Sequence, residues 1–235
     1  MHVNQKITRA LFCAALWTGC STVPNATTDR LPAPHLLPSP PDTALVEEGI
    51  DAVEFGDFIQ LDWRPRGEER PFQYKIYRRS EKDQAFTMLV KLSGSVQSFI
   101  DSLNVQVGRR YYYYITALND DEVESLPSDT LSYMLLEKAF LLSNTASPVP
   151  VFSWQVSTSP ETFVLKLIEA DTGEKVWVTQ IKSSYSQMEQ IVFNADGSAR
   201  IDSLRRNVTY KWRIDIVGPS MNSGSESQWK RFTIQ

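Results

Sequence analysis

One run of residues, Gly108–Asn119, constrains the fold more than any other part of this chain; it reads GRRYYYYITALN. Its apolar and aromatic residues recur with a period of two. Every second position would share one face of a strand: Tyr111, Tyr113, Ile115 and Ala117. The positions between them would share the opposite face: Tyr112, Tyr114 and Thr116. Aromatic and β-branched residues at this period predict a β-strand with one face in a core.

A similar arrangement recurs near the C-terminus. Val105 lies six residues before Tyr111, and Leu204 lies six residues before Tyr210, with an alternating strand pattern after each tyrosine. The chain has 235 residues, of which 42% are hydrophobic and 11% aromatic, which is enough for two small cores. The repeat therefore predicts two domains of similar construction.

Three segments of the first copy carry a resemblance to a known family. Val105–Asn119 resembles the corner before strand F, and strand F itself, of fibronectin type III domains. Ile59–Trp63 resembles strand B with its core tryptophan, and Tyr74–Arg78 resembles strand C. The resemblance covers residues 44–137. It implies that the Tyr111 hydroxyl bonds back to the upstream backbone in a tyrosine corner.

The second copy, residues 146–235, resembles the same family less closely. Val151–Trp154, Phe163–Leu167 and Tyr210–Ile214 match strands, whereas Arg205–Asn207 stand where the corner glycine is expected. A fibronectin-like and an immunoglobulin-like second domain both stay open.

The expected fold is all-β, with two tandem fibronectin type III or immunoglobulin-like β-sandwiches. Residues 138–145 would link them, and the apolar residues of this linker should pack at the domain junction.

The first 19 residues are typical of an export signal. Lys6 and Arg9 precede a short apolar run, and Leu16–Ser21 resembles the lipobox of bacterial lipoproteins. That resemblance implies cleavage before Cys20, acylation of Cys20 with palmitate-like chains, and anchoring in a membrane. Ser21 after the cysteine implies an outer-membrane location in the cell envelope. The alternative is an ordinary signal peptide, with Cys20 as a spare thiol.

Residues 20–43 form a proline-rich segment that holds six of the 13 prolines. Few of its residues could build a core, so an extended tether is expected. About twenty residues at ~3.1 Å each would hold domain one up to ~60 Å from the membrane. A proline-rich ligand for another protein is the alternative.

The residue types that many catalytic sites require are scarce in this sequence. The two cysteines are Cys13 and Cys20, and both histidines, His2 and His35, precede residue 44. Histidine-activated nucleophiles, and zinc sites with histidine or cysteine ligands, are therefore not expected in the domains. The mild net charge of −4 does not favour a nucleic-acid partner. We expect no enzyme activity, no cofactor and no metal site.

An acidic loop is expected after strand F. It contains Asp120, Asp121, Glu122 and Glu124. Adjacent carboxylates point in alternating directions, so a solvated loop is expected. A weak Ca²⁺ site is the alternative, because hard oxygen ligands are present.

A binding surface is predicted on domain one from five residues: Lys75, Tyr77, Arg79, Tyr112 and Tyr114. Strands C and F are neighbours in the family, so their outward residues should share one sheet face. Tyrosine and arginine are favoured at interface hot spots, although ordinary cross-strand pairing is the alternative.

The expected function is a lipid-anchored envelope protein that presents non-catalytic binding domains to an envelope protein or a polysaccharide. The alternative is a structural accessory subunit of an envelope complex.

Overall fold

The protein is described by a computed structural model that covers residues 30–144 and 147–235. Within these ranges every regular element is a β-strand. No helix long and apolar enough to cross a bilayer occurs there.

Domain one is a sandwich of two antiparallel sheets. In the first sheet, β3 (Ile59–Arg64) pairs with β1 (His35–Leu36), β2 (Asp51–Ala52) and β6 (Ser98–Asp101). The second sheet has the order β5-β4-β7-β8. Its strands are β4 (Gln73–Ser80), β5 (Thr87–Ser93), β7 (Arg110–Leu118) and β8 (Leu131–Leu135). In fibronectin nomenclature these two sheets correspond to A-B-E and C′-C-F-G.

Domain two repeats that strand order. One sheet has the order β13-β10-β9, from β9 (Phe140–Leu141), β10 (Val151–Gln155) and β13 (Met188–Val192). The other contains β11 (Thr162–Glu169), β12 (Lys175–Lys182), β14 (Thr209–Val217), β15 (Ser223–Glu226) and β16 (Lys230–Thr233). Here β14 pairs with β11 on one side and with β15 and β16 on the other. The predicted fold class, two tandem β-sandwiches, is confirmed, and both domains have the same topology.

The alternation predicted for strand F is present in β7. Its four inward residues are at most 3% exposed, whereas Tyr112 and Tyr114 are half-buried. The same core contains Trp63, which is fully buried and meets the Tyr74 ring edge-on, with ring centroids 5.4 Å apart. Because Trp63 of β3, Tyr74 of β4 and the two inward tyrosines of β7 belong to one core, their rings fill the space between the two sheets.

Both domains contain a tyrosine corner. The Tyr111 hydroxyl donates to the Asn104 carbonyl at 3.2 Å and accepts from the Gln106 amide at 3.1 Å. In domain two, the Tyr210 hydroxyl accepts from the Arg205 amide at 3.0 Å. Three residues before each tyrosine the backbone has positive φ, 76° at Gly108 and 59° at Asn207. Asparagine tolerates the left-handed region better than most residues, so Asn207 takes the place of the expected glycine.

Replacing Tyr111 with Phe should lower the free energy of unfolding by about 1–2 kcal/mol, because two hydrogen bonds are lost and each contributes about 1 kcal/mol or less. Tyr112→Phe is the matched control, since that side chain is half-buried on the outer face; it should change stability by less than about 0.5 kcal/mol. Denaturant melts of both variants measure the difference. Equal stability of Tyr111→Phe and the parent protein would show that the corner bonds add nothing.

The predicted tether is wrong for the part of it that the structure describes. Leu31 and Leu36 are 4% and 2% exposed and belong to the core of domain one, and β1 pairs with β3. Prolines are tolerated here because the segment lies along a sheet edge and requires few backbone donors. Residues 30–43 therefore belong to domain one, and residues 20–29 lie outside the described ranges.

The linker boundary also differs from the prediction. Phe140 and Leu141 form β9, the first strand of domain two, and Ala139 is buried in the core of that domain. Phe140, by contrast, is 68% exposed, so it does not pack at the junction as expected.

The two domains share one sheet. Strand β15 pairs in parallel with β8, with Ser223 opposite Met134 and Gly224 opposite Leu135. The Leu136 amide donates to the Gly224 carbonyl at 2.9 Å. A Cβ atom at Gly224 would lie 2.5 Å from the Ile216 carbonyl oxygen, so only glycine fits there. The result is a nine-stranded sheet that runs from β12 in domain two to β5 in domain one.

Candidate functional site

The five residues predicted to form a binding surface lie together on the outer face of β4 and β7. Tyr77 is directly opposite Tyr114, Arg79 is opposite Tyr112, and Lys75 is opposite Thr116. Together with Phe86, the five residues are called the aromatic face below. All six side chains are half-buried.

The rings of the aromatic face pack on one another. Tyr77 and Tyr114 stack with centroids 4.7 Å apart and an interplanar angle of 16°, and Phe86 meets Tyr114 edge-on at 4.8 Å. The Arg79 guanidinium lies 4.0 Å from the centre of the Tyr112 ring and 5.2 Å from that of Phe86. Such cation–π contacts hold the arginine flat against the sheet.

Glu124 completes the aromatic face, although it was expected in a solvated loop. Its carboxylate accepts from Lys75 at 2.7 Å, from Tyr77 at 2.8 Å and from Thr116 at 2.6 Å. Burial alone would raise the pKa of Glu124, but these hydrogen bonds lower it. Burial and the Glu124 bond raise the pKa of Tyr77 to about 12. Glu124 therefore neutralises the positive charge of Lys75, and the aromatic face carries less unpaired positive charge than its lysine and arginine suggest.

The rest of the acidic loop is solvated as expected. Asp120, Asp121 and Glu122 are exposed, and Glu122 makes only a 3.4 Å ion pair with Lys91. Backbone φ is positive at Glu122, which turns the chain so that Glu124 returns to the sheet. The three adjacent carboxylates do not converge on one point with Glu124, whose contacts are on the aromatic face.

A cluster of buried charges at the domain junction was not predicted from the sequence. Five residues form this junction cluster: Glu47 of domain one, and Lys166, Arg213, Asp215 and Glu226 of domain two. Lys166 contacts Asp215 at 2.8 Å, and Arg213 contacts Asp215 at 2.8 Å and Glu226 at 2.9 Å. Glu47 crosses the junction and pairs with both cations. The side chains of Lys166 and Arg213 are only 2% and 3% exposed.

The junction cluster contains three carboxyl groups and two cations. Burial raises the pKa of Asp215 and of Glu226, although the nearby Arg213 charge opposes the shift in both. Oxygens of Glu47, Asp215 and Glu226 lie within 4.8 Å of one another, close enough to share a cation. Lys166 and Arg213 already supply positive charge at that place, so the cluster is an ion-pair network and not a metal centre.

Further contacts hold the two domains together around the cluster. Within domain one, at its side of the junction, the Tyr133 hydroxyl donates to Asp51 at 2.8 Å, and burial raises the pKa of Asp51 to about 6. Arg110 of domain one donates to Ser220 Oγ at 2.7 Å and to the Met221 carbonyl at 3.1 Å. Lys138 donates to backbone carbonyls of both domains. The junction is therefore built from a shared sheet, ion pairs and hydrogen bonds.

The predicted lipidation site, Cys20, lies outside the described residues. Of the sequence-predicted site residues, the structure therefore places only those of the aromatic face. Burial of Asp51, Asp215 and Glu226 depends on contacts between distant segments, which single-residue patterns do not reveal.

Comparison with known proteins finds structural likeness without a family assignment. No family model matches the chain, and no curated protein does. A two-domain fibronectin type III segment of chicken tenascin is 14% identical with a TM-score of 0.31, covering 80% of this chain and 98% of that one. The FN1–FN3 domains of chicken CNTN1 are 13% identical with a TM-score of 0.38, covering 87% and 68%.

A beta-1,2-glucanase from Parabacteroides distasonis is 24% identical with a TM-score of 0.36. The match covers 46% of this chain and only 13% of the glucanase. At these TM-scores the likenesses carry no functional argument. The fibronectin-like assignment instead rests on the strand order and the two tyrosine corners.

Proposed function

We propose that the protein is a cell-envelope lipoprotein, anchored by lipid on Cys20, that presents non-catalytic binding domains to an envelope protein or polysaccharide. The observation that carries this proposal is the sheet shared by the two domains. Pairing of β15 with β8 and the ion pairs of Glu47 oppose hinge motion at the junction. A rigid junction supports presentation because the relative position of two surfaces is then set before a partner binds.

The chemistry of the described residues also supports a non-catalytic role. Burial raises the pKa of three carboxyl groups near the junction, and each has a protein partner. Asp51 accepts from Tyr133, Asp215 pairs with Lys166, and Glu226 pairs with Arg213. These contacts join strands within each domain. Such groups act in the structure of the junction, where ion-pair networks commonly shift pKa values.

The aromatic face is the surface of domain one that we propose for partner contact. Each tyrosine offers an apolar ring and a hydroxyl, which suits a partner that is flat and partly polar. Its arginine and tyrosines are held in place by stacking, so little side-chain entropy would be lost on binding.

Cys20→Ala should abolish acylation and release the exported protein from the membrane fraction, because no acyl chain could then be attached. Cys13→Ala is a matched control: it changes a cysteine inside the predicted leader and should leave labelling unchanged. Metabolic labelling with an alkyne fatty acid in bacterial cells, followed by membrane fractionation, measures both effects. A parent protein that takes up no label would refute the anchoring part of the proposal.

A further inference from the structure

A groove crosses the domain junction on the side of Trp229. It consists of three adjoining cavities of about 260, 430 and 520 Å³. The first and second share Glu54 and Trp229, and the second and third share Lys138 and Phe140. The groove, called the junction groove below, therefore runs from Gln60 in domain one to Met188 in domain two.

Hydrogen bonds from lysine side chains to backbone carbonyls hold the walls of the junction groove in place. Lys138 donates to the carbonyls of Val53 and Glu226, one from each domain, and Lys230 donates to the Leu141 carbonyl at 3.2 Å. An extended peptide would use such carbonyls to bind as an added strand. These carbonyls already accept hydrogen bonds from Lys138 and Lys230. A ligand in the groove would therefore be recognised by side chains and not by the backbone.

Aromatic side chains lie at intervals along the junction groove. Trp229 is half-buried, with Lys211 and Arg213 at 4.9 and 5.0 Å from its ring. Phe140 is 68% exposed and Phe55 is 48% exposed. Large apolar side chains left open to solvent in a groove often mark a ligand site. Flat rings at intervals suit a ligand made of repeated units, each with an apolar face.

The junction groove is lined by neutral polar side chains as well as by charged ones. Three glutamines are exposed along it: Gln155, Gln187 and Gln228. Ser157 and Ser186 add hydroxyl groups. The Oε2 atom of Glu54 is buried and accepts no hydrogen bond from the described residues. Because that atom is closed to solvent, a ligand in the groove would use the glutamine amides and the serine hydroxyls instead.

We infer that the junction groove binds a linear, uncharged glycan. A sugar ring has an apolar face that can stack on Trp229 or Phe140, and hydroxyls that can bond to the glutamine amides. Charges of both signs line the groove, Asp57 and Glu54 against Lys138 and Lys230, so a charged polymer gains little from it. The inference rests on the proposed function, that these domains are binding modules, and names the class of partner.

The test uses linear neutral hexasaccharides of glucose, mannose, xylose and N-acetylglucosamine on a microarray, followed by fluorescence titration. Trp229 reports binding, because the other four tryptophans of the described ranges are at most 1% exposed. At least one hexasaccharide should bind with a dissociation constant below about 1 mM. The Phe140→Ala and Gln228→Ala double variant should weaken that binding by about tenfold or more. Phe72→Ala, which removes a 51% exposed ring outside the groove, is the control and should bind as the parent does.

Three results would overturn the inference: no hexasaccharide binds at about 1 mM, the double variant binds as the parent does, or extended peptides bind in place of glycans and are lost in the double variant. A capture experiment with envelope material and the lipidated protein distinguishes failure of the glycan inference from failure of the proposed function. If the double variant still captures a partner while no glycan binds, the groove assignment fails and presentation of binding domains stands. If neither protein captures anything, both fail.

Discussion

Replacing Trp154 with Ala is expected to cost domain two about 3–5 kcal/mol, enough to unfold a small domain. Trp154 is fully buried and meets the Phe163 ring edge-on at 5.3 Å. Its indole nitrogen has no hydrogen-bond partner, so the loss is one of packing. Trp63 is equivalent in domain one and is also fully buried, so Trp63→Ala should cost a similar amount.

Denaturant titrations, followed through NMR signals assigned to each domain, measure these losses separately. Phe140→Ala is the control, because its ring is 68% exposed and the change should cost less than about 0.5 kcal/mol. If Trp154→Ala or Trp63→Ala unfolds at the same denaturant concentration as the parent, the inward faces of β10 and β3 are misassigned.

Replacing Arg213 with Ala should cost about 3–5 kcal/mol, because one partner of a buried ion network is lost. Lys166 alone would then face three carboxyl groups, those of Glu47, Asp215 and Glu226. Arg64→Ala is the matched control: its pair with Glu48 is 44% and 57% exposed, and it should cost no more than about 1 kcal/mol.

A double variant sharpens the same prediction. Arg213→Met combined with Glu226→Leu removes one charge of each sign and fills the space with apolar side chains. It should be more stable than Arg213→Ala, since the charge balance of the cluster is kept and Glu47 and Asp215 still pair with Lys166. Thermal unfolding of the three variants measures the order. Equal melting temperatures for Arg213→Ala and the parent would show that the cluster contributes no stability.

The elements that could be predicted from the sequence are those decided by local pattern. Alternation along Arg110–Leu118 sets which tyrosines are inward, because successive side chains of a strand point to opposite faces. The resemblance of Val105–Asn119 to fibronectin type III domains implied the tyrosine corner, which Tyr111 forms. The absence of a glycine before Tyr210 looked like a departure from the family, yet Asn207 adopts the same positive φ.

The junction could not be predicted because burial there depends on docking. Lys166, Arg213 and Asp215 alternate with core residues, so pattern alone places them on a solvent-facing sheet surface. Domain one covers that surface and buries them. Ser223–Glu226 contains no large apolar residue, yet all four residues are buried, since pairing with β8 covers them. Leu36 lies in a proline-rich segment, yet it belongs to the core of domain one because β1 pairs with β3.

Five residues of the aromatic face were named from the sequence, whereas Phe86 and the charge of the face were not predicted. Strand pairing brings its residues together, and that follows from the family order of strands C and F. Glu124 reaches the face only because the loop turns back at Glu122, and this turn has no glycine or proline to signal it.

The central claim is that the two domains form one rigid unit. Spin labels at Gln84→Cys in domain one and Lys182→Cys in domain two test it directly, in a Cys13→Ala and Cys20→Ala background that removes both native cysteines. Both positions are exposed, so the labels should not disturb the cores. Pulsed electron paramagnetic resonance should give a single narrow distance distribution. A broad distribution, or two well-separated distances, would contradict the shared sheet and the rigid junction.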